Sequence, residues 1–91
     1  MGRLSKINEI LEIPKEIVSK QPKITITGFS EVLIENFKSI LEYEEFFIRI
    51  STDIGNININ GFNLSLSQMT EDDILVSGII ENLDFENKRG H

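Results

Sequence analysis

Cysteine and tryptophan are missing from this 91-residue chain, proline occurs twice, and the single histidine is the last residue, His91. Without thiols there can be no disulfide, no thiolate zinc site and no thiol catalysis, and the absence fits a reducing compartment. A histidine at the terminus offers no positioned base, which removes Ser-His and Cys-His arrangements. The serines lie outside any Gly-x-Ser-x-Gly elbow. No apolar run approaches the roughly 18–20 residues that cross a bilayer. The start, Met1 to Lys6, has no signal-peptide core, and Lys6 stands where a myristoylation site needs Ser or Thr. The expectation is a cytoplasmic protein with no direct membrane insertion. Positive charge is also scarce, nine basic residues against fifteen acidic ones, for a net −6. The first twenty residues carry four basic and three acidic side chains, so the other seventy-one hold −7. An acidic body repels phosphate backbones, and no basic stripe with interleaved aromatics is present, so nucleic acid is not an expected ligand.

What the chain has is apolar pattern. At 40% hydrophobic residues it is too apolar for a disordered polymer, and its length is that of one small domain with a thin core. Leu4, Ile7, Ile10 and Leu11 recur at three- and four-residue spacing and predict a short N-terminal α-helical segment over 1–21. Pro14 interrupts it, Ile17 and Val18 continue the stripe, and Gln21-Pro22 closes it. From Lys23 the period becomes 2. Ile24-Thr25-Ile26-Thr27, Phe47-Ile48-Arg49-Ile50, Ile57-Asn58-Ile59-Asn60 and Leu64-Ser65-Leu66-Ser67 all alternate, as half-buried strands do. A β domain over 22–86 and a polar tail over 87–91 follow.

The strands repeat. Apolar-x-apolar-x-Gly units begin at Ile24, Ile57 and Ile74, with a degenerate copy at Leu41, giving steps of 17, 16 and 17 residues. About four 17-residue units can stack as a β-solenoid or fold as an antiparallel sandwich or roll of equal hairpins. Asp53-Ile54-Gly55 and Phe62-Asn63 are the expected hairpin turns. Ile26, Ile59 and Val76 are the expected inward positions, and Thr25, Asn58, Asn60 and Ser77 the wet ones.

Chemistry is sparse. Glu42, Glu44 and Glu45 surround Tyr43, and Glu71, Asp72 and Asp73 follow Thr70. Alternation places Glu42 and Glu44 on a solvated face beside inward Leu41 and Tyr43. Turn chemistry lets Thr70 and the acids accept backbone N–H bonds. Asp53 to Asn60 lacks the oxygen spacing and closing Glu of a calcium loop. Gly28, Gly55, Gly61 and Gly78 are dispersed, one per turn, and form no phosphate loop. No catalytic, cofactor-binding or metal-binding residue is assigned. The N-terminal stripe could cap the β body, meet a protein partner or touch lipid; Leu4, Ile7, Ile10 and Leu11 are the candidate partner contact.

From Ile13 to Phe85 the chain resembles the YabP/YqfC family of sporulation proteins, in particular the YqfC type. The residues that carry this are Ile13-Pro14-Lys15-Glu16, Ile24-Thr25-Ile26-Thr27-Gly28, Ile34-Glu35-Asn36 and Ile40-Leu41-Glu42-Tyr43. They continue with Ile48-Arg49-Ile50, the Gly55 turn, Ile59-x-Gly61, and Glu71-Asp72-Asp73-Ile74 running to Gly78-Ile79-Ile80. The Asn-rich strands and the end from Glu86 to His91 depart from the pattern. The resemblance implies a mother-cell protein of endospore formers, acting beside a membrane-protein partner and peripheral to the forespore membrane through it. The expected function is therefore a non-enzymatic adaptor or assembly factor in spore morphogenesis, without cofactor, working with that protein partner or as a homo-oligomer. The alternative is a small ligand-binding protein or enzyme using the acidic clusters.

Overall fold

A computed structural model describes residues 21–87. The expected N-terminal helix, with Leu4, Ile7, Ile10 and Leu11, and most of the polar tail lie outside the described residues. Six strands follow one another: β1 (Lys23–Thr27), β2 (Glu31–Glu35), β3 (Phe37–Glu44), β4 (Phe47–Thr52), β5 (Gly55–Met69) and β6 (Asp73–Asn87). Every pairing is antiparallel, in the order β1-β2-β6-β5-β4-β3. The solenoid reading fails on this point, because stacked coils would pair in parallel. The antiparallel roll is what forms.

The four sequence units have a partial counterpart in the fold, with the second beginning at Phe37 rather than Leu41. The first two are the hairpins β1–β2 and β3–β4; the last two are β5 and β6, single strands of 15 residues each. Hairpin β1–β2 lies along the first part of β6, as hairpin β3–β4 lies along the first part of β5. The strand order therefore reads the same from either end under exchange of the halves.

One buried cluster unites Val32 and Ile34 of β2, Ile48 and Ile50 of β4, Ile57, Ile59 and Leu64 of β5, and Ile74 and Val76 of β6. β2 and β4 are separated by two strands in the sheet, so a flat sheet could not bring their side chains together. The sheet folds over on itself along a line across β5 and β6. Pairing between them shifts at Asn60/Gly61 and again between Phe62 and Ser65, and such bulges bend a strand. Phe62-Asn63, expected as a hairpin turn, is thus a bulge inside a continuous strand, with Asn63 at φ 54. Gly78 crosses the same line at φ 140. Gly61 has no positive φ; it is needed because a Cβ there would lie 1.9 Å from the Ile79 carbonyl oxygen.

Alternation holds for β2, β4 and the first parts of β5 and β6, and fails at the edges. Ile26 stands opposite fully buried Val32, so it faces the core side, yet it is 51% exposed. β1 overhangs the opposite layer, and the expected equivalence of Ile26 with Ile59 and Val76 is broken there. Leu41 and Tyr43, expected inward, are both about half exposed. A register shift between Ile40 and Glu42 inserts Leu41 as an extra residue. Thr52 is buried but satisfied, donating to the Gly55 carbonyl at 2.7 Å and accepting from the Ile54 N–H at 3.2 Å.

Candidate functional site

Two surfaces stand out, one polar and one apolar. The polar one is the outer face of β3, β4, β5 and β6. Cross-strand pairing sets Glu42, Arg49, Asn58 and Asp84 in one row, Glu44, Phe47, Asn60 and Asn82 in the next, and Ser51, Asn56 and Glu86 in a third. Arg49 donates through Nε to Asn58 Oδ1 at 3.0 Å and through a terminal nitrogen to Glu86 Oε2 at 3.0 Å. Asn58 Nδ2 donates to Asp84 Oδ1 at 3.0 Å and Glu86 Oε2 at 3.2 Å, and Asn56 Nδ2 to Glu86 Oε1 at 3.0 Å. The Arg49 guanidinium lies 5.8 Å from the Phe47 ring centre, within cation–π reach.

Asn58, expected in solvent, is only 7% exposed. Its long polar neighbours cover it, and alternation alone cannot show that. The side-chain hydrogen bonds from Asn56 and Asn58, and then the charge of Arg49, hold the Glu86 carboxyl below its ordinary value. A depressed carboxylate adds stability that is full above its unfolded value and is lost as the pH falls through its folded one. Asn58→Ala removes partners from both Arg49 and Glu86. It is expected to cost about 1–3 kcal/mol at pH 7 by urea denaturation, and less in acid, where Glu86 is protonated. An equal cost at both pH values would contradict the network.

Arg49, Asn56, Asn58, Asp84 and Glu86 tie part of this face into one hydrogen-bond network. Its one basic side chain in those rows is already engaged, and its carboxylates are spread along strands. The second acidic cluster sits elsewhere, in the β5–β6 turn. There the Thr70 hydroxyl accepts from Asp72 N at 3.3 Å and Asp73 N at 3.0 Å, as turn chemistry predicts. Asp73 Oδ1 and the Asp72 carbonyl receive the Asn36 and Phe37 N–H groups at the β2–β3 corner. The two clusters do not converge. Among the described residues no three acidic or histidine side chains are placed to hold a metal ion. A hollow of about 160 Å³ beside Leu33, Met69 and Leu75 is below the roughly 300–1,000 Å³ of small-molecule sites.

The apolar surface follows the fold line. Phe29 and Phe46 occupy the tips of the two hairpins, 83% and 61% exposed. The tips are tied to the bends: the Phe29 carbonyl accepts from Ile80 N at 2.8 Å, and the Phe46 carbonyl from Gly61 N at 3.1 Å. Between them Phe62 and Ile79 stand directly opposite each other, each about half exposed. Backbone bonds and strand pairing thus line up four exposed apolar residues as a ridge along the bend; Leu41, Tyr43, Ile54, Met69 and Phe85 are exposed elsewhere. Exposed apolar groups gathered along one line are candidate interaction sites. Sequence reasoning missed it, although a signal was there: two phenylalanines, Phe29 and Phe46, placed in turns where polar residues are the rule.

The model of the YabP family matches residues 18–91, and so takes in all six strands. This chain belongs to the YabP family. It is 29% identical over 75 residues to the uncharacterized protein YqfC of Bacillus subtilis (strain 168), an alignment covering 82% of this chain and 81% of that protein. No solved structure matches. In this member of the YabP family, the residues that carried the resemblance hold the frame. Asn36, at φ 67, turns the corner from β2 to β3 and donates from Nδ2 to the Gln21 carbonyl at 3.0 Å. Tyr43 lends its hydroxyl to the Leu66 N–H at 3.3 Å, beyond the point where β4 stops pairing with β5. Among the described residues no helix is long and apolar enough to cross a membrane.

Proposed function

We propose that this YabP-family protein is a non-enzymatic adaptor or assembly factor of spore formation that binds a protein partner through the ridge of Phe29, Phe46, Phe62 and Ile79. The observation that carries the reading is the contrast between the two surfaces. The centre of the polar face is engaged in its own hydrogen-bond network, whereas the ridge leaves four large apolar groups in water at the bend and at hairpin tips tied to it by backbone bonds. Aromatic groups on such a frame bind with little ordering cost and are the usual anchors of protein interfaces. The resemblance adds the setting: the mother cell during sporulation, and a membrane protein as the partner. The partner would keep the adaptor at the membrane surface, a role the acidic body could not fill alone against anionic lipid.

The test is capture from sporulating cells with a tagged chain. Phe29→Ser and Phe46→Ser together sit in exposed turns and are expected to leave the fold intact while reducing capture of the partner at least tenfold. Glu44→Ser with Asp84→Ser, on the polar face, should leave capture unchanged. Undiminished capture by the double phenylalanine variant would sink the reading.

A further inference from the structure

We infer that β1 is a self-pairing edge, through which two copies of this chain join as a two-fold dimer. Among the described residues the folded sheet leaves four strand edges, and three of them are blunted. β3 carries two register shifts and the charges of Lys38, Glu42 and Glu44. The far part of β5 has a shift at Leu66/Gln68, and its Leu66 N–H is occupied by Tyr43. The far part of β6 gives its first N–H groups, Gly78 and Ile80, to the β1–β2 tip, and then bears Glu81, Asp84 and Glu86. Natural edges are protected in these ways against pairing with another chain. β1 is the least protected: it is in unbroken register with β2, contains no acidic residue, no proline and no bulge, and its one charge is Lys23 at its first position.

The strand also fits itself. Antiparallel pairing centred on Thr25 sets Ile24 opposite Ile26 of the second copy, and Lys23 opposite its Thr27. The Thr27 carbonyl is turned toward Ser30 N, 3.2 Å away in the hairpin turn. Alternation then sends the backbone groups of Ile24 and Ile26 outward, where they bond across the two-fold axis. The overhanging Ile26, 51% exposed, gains an apolar neighbour on the side away from Val32. Charge agrees. Lys23 already faces Glu35 within its own chain and Thr27 faces Glu31, so pairing puts each lysine two strand spacings, about 10 Å, from a carboxylate of the other copy. For a chain of net −6, this is an edge where copies approach without carboxylates meeting. Five residues a side make a small contact, so the dimer is weak and concentration-dependent.

This deepens the association reading above, but it is tested on purified protein alone, so its failure and a failure of partner capture are separate results. The chain has no cysteine, which makes Thr25→Cys a clean probe. Directly opposite, non-hydrogen-bonded residues have Cα atoms about 4.5 Å apart, within disulfide reach. Full-length Thr25→Cys is expected to be largely cross-linked under mild oxidation, whereas Thr27→Cys, four residues out of register with its own copy, is not. Adding Ile26→Lys to Thr25→Cys should abolish the cross-link. The wild-type chain should sediment as a monomer–dimer mixture whose dimer fraction rises with concentration, and Ile26→Lys as a monomer with its low-concentration melting temperature retained. Equal cross-linking at positions 25 and 27, no cross-linking at 25, or a wild-type chain monomeric at every concentration would overturn the proposal.

Discussion

Gly61→Ala is expected to abolish cooperative unfolding altogether. The added Cβ would meet the Ile79 carbonyl oxygen at 1.9 Å and its carbon at 3.0 Å. Those are backbone atoms of the paired strand, so no side-chain rotation relieves the contact. β5 and β6 would have to separate where they bend, and the hairpin tip tied to Gly61 N through Phe46 would lose its anchor. The cost is expected to reach about 4–5 kcal/mol or more, in the range of the largest single-residue effects and close to the whole stability of a small domain. Gly78→Ala should behave similarly, with backbone of Asn63 at 2.6 Å and φ at 140. Gly28→Ala meets nothing within 4 Å and should cost only about 1–2 kcal/mol for its left-handed φ. Thermal melts followed by circular dichroism separate the three. A Gly61→Ala protein melting within a few degrees of wild type would contradict the bend as described.

Core truncation should follow the folded sheet rather than the repeat. Ile59→Ala and Ile34→Ala remove side chains with no exposed surface, and each is expected to cost about 2–5 kcal/mol. For a domain of this size that lowers the melting temperature by roughly 10 °C or more. Ile26→Ala occupies the same position in its 17-residue unit as Ile59, but half of its side chain is already in water. Measured below the dimerisation range, it is expected to cost less than about 1.5 kcal/mol. Urea titrations give the comparison, with midpoints shifting at constant slope. Equal losses at Ile26 and Ile59 would mean that β1 is covered as deeply as the central strands.

The difference between Ile26 and Ile59 shows where the sequence stops speaking. Period-2 alternation reports which face of a strand looks inward, and it did so correctly at Ile34, Ile48, Ile57 and Val76. It does not report whether anything lies opposite that face, and burial at an edge depends on that. The repeat was legible as spacing, but the same apolar-x-apolar-x-Gly unit makes a turn at Gly28 and a bend inside one strand at Gly61 and Gly78. Long-range pairing decides between those outcomes. Asn58 was unreadable for a related reason: its burial comes from Arg49, Asp84 and Glu86, which meet it only after the sheet has formed. The acidic turn at Thr70 was legible because its hydrogen bonds are local. The ridge could have been suspected from Phe29 and Phe46, yet its continuity needed the fold to bring both tips to Phe62 and Ile79.

The proposed holding of a partner on the fold-line ridge is tested most directly by site-specific photo-cross-linking during sporulation. A photoreactive phenylalanine analogue would replace Phe29 or Phe46 on the ridge, and Glu44 or Asp84 on the polar face. One discrete cross-linked polypeptide is expected from both ridge positions and none from the polar face. Cross-links from Glu44 and Asp84 alone, with Phe29 and Phe46 silent, would place the contact on the other side of the sheet and contradict it.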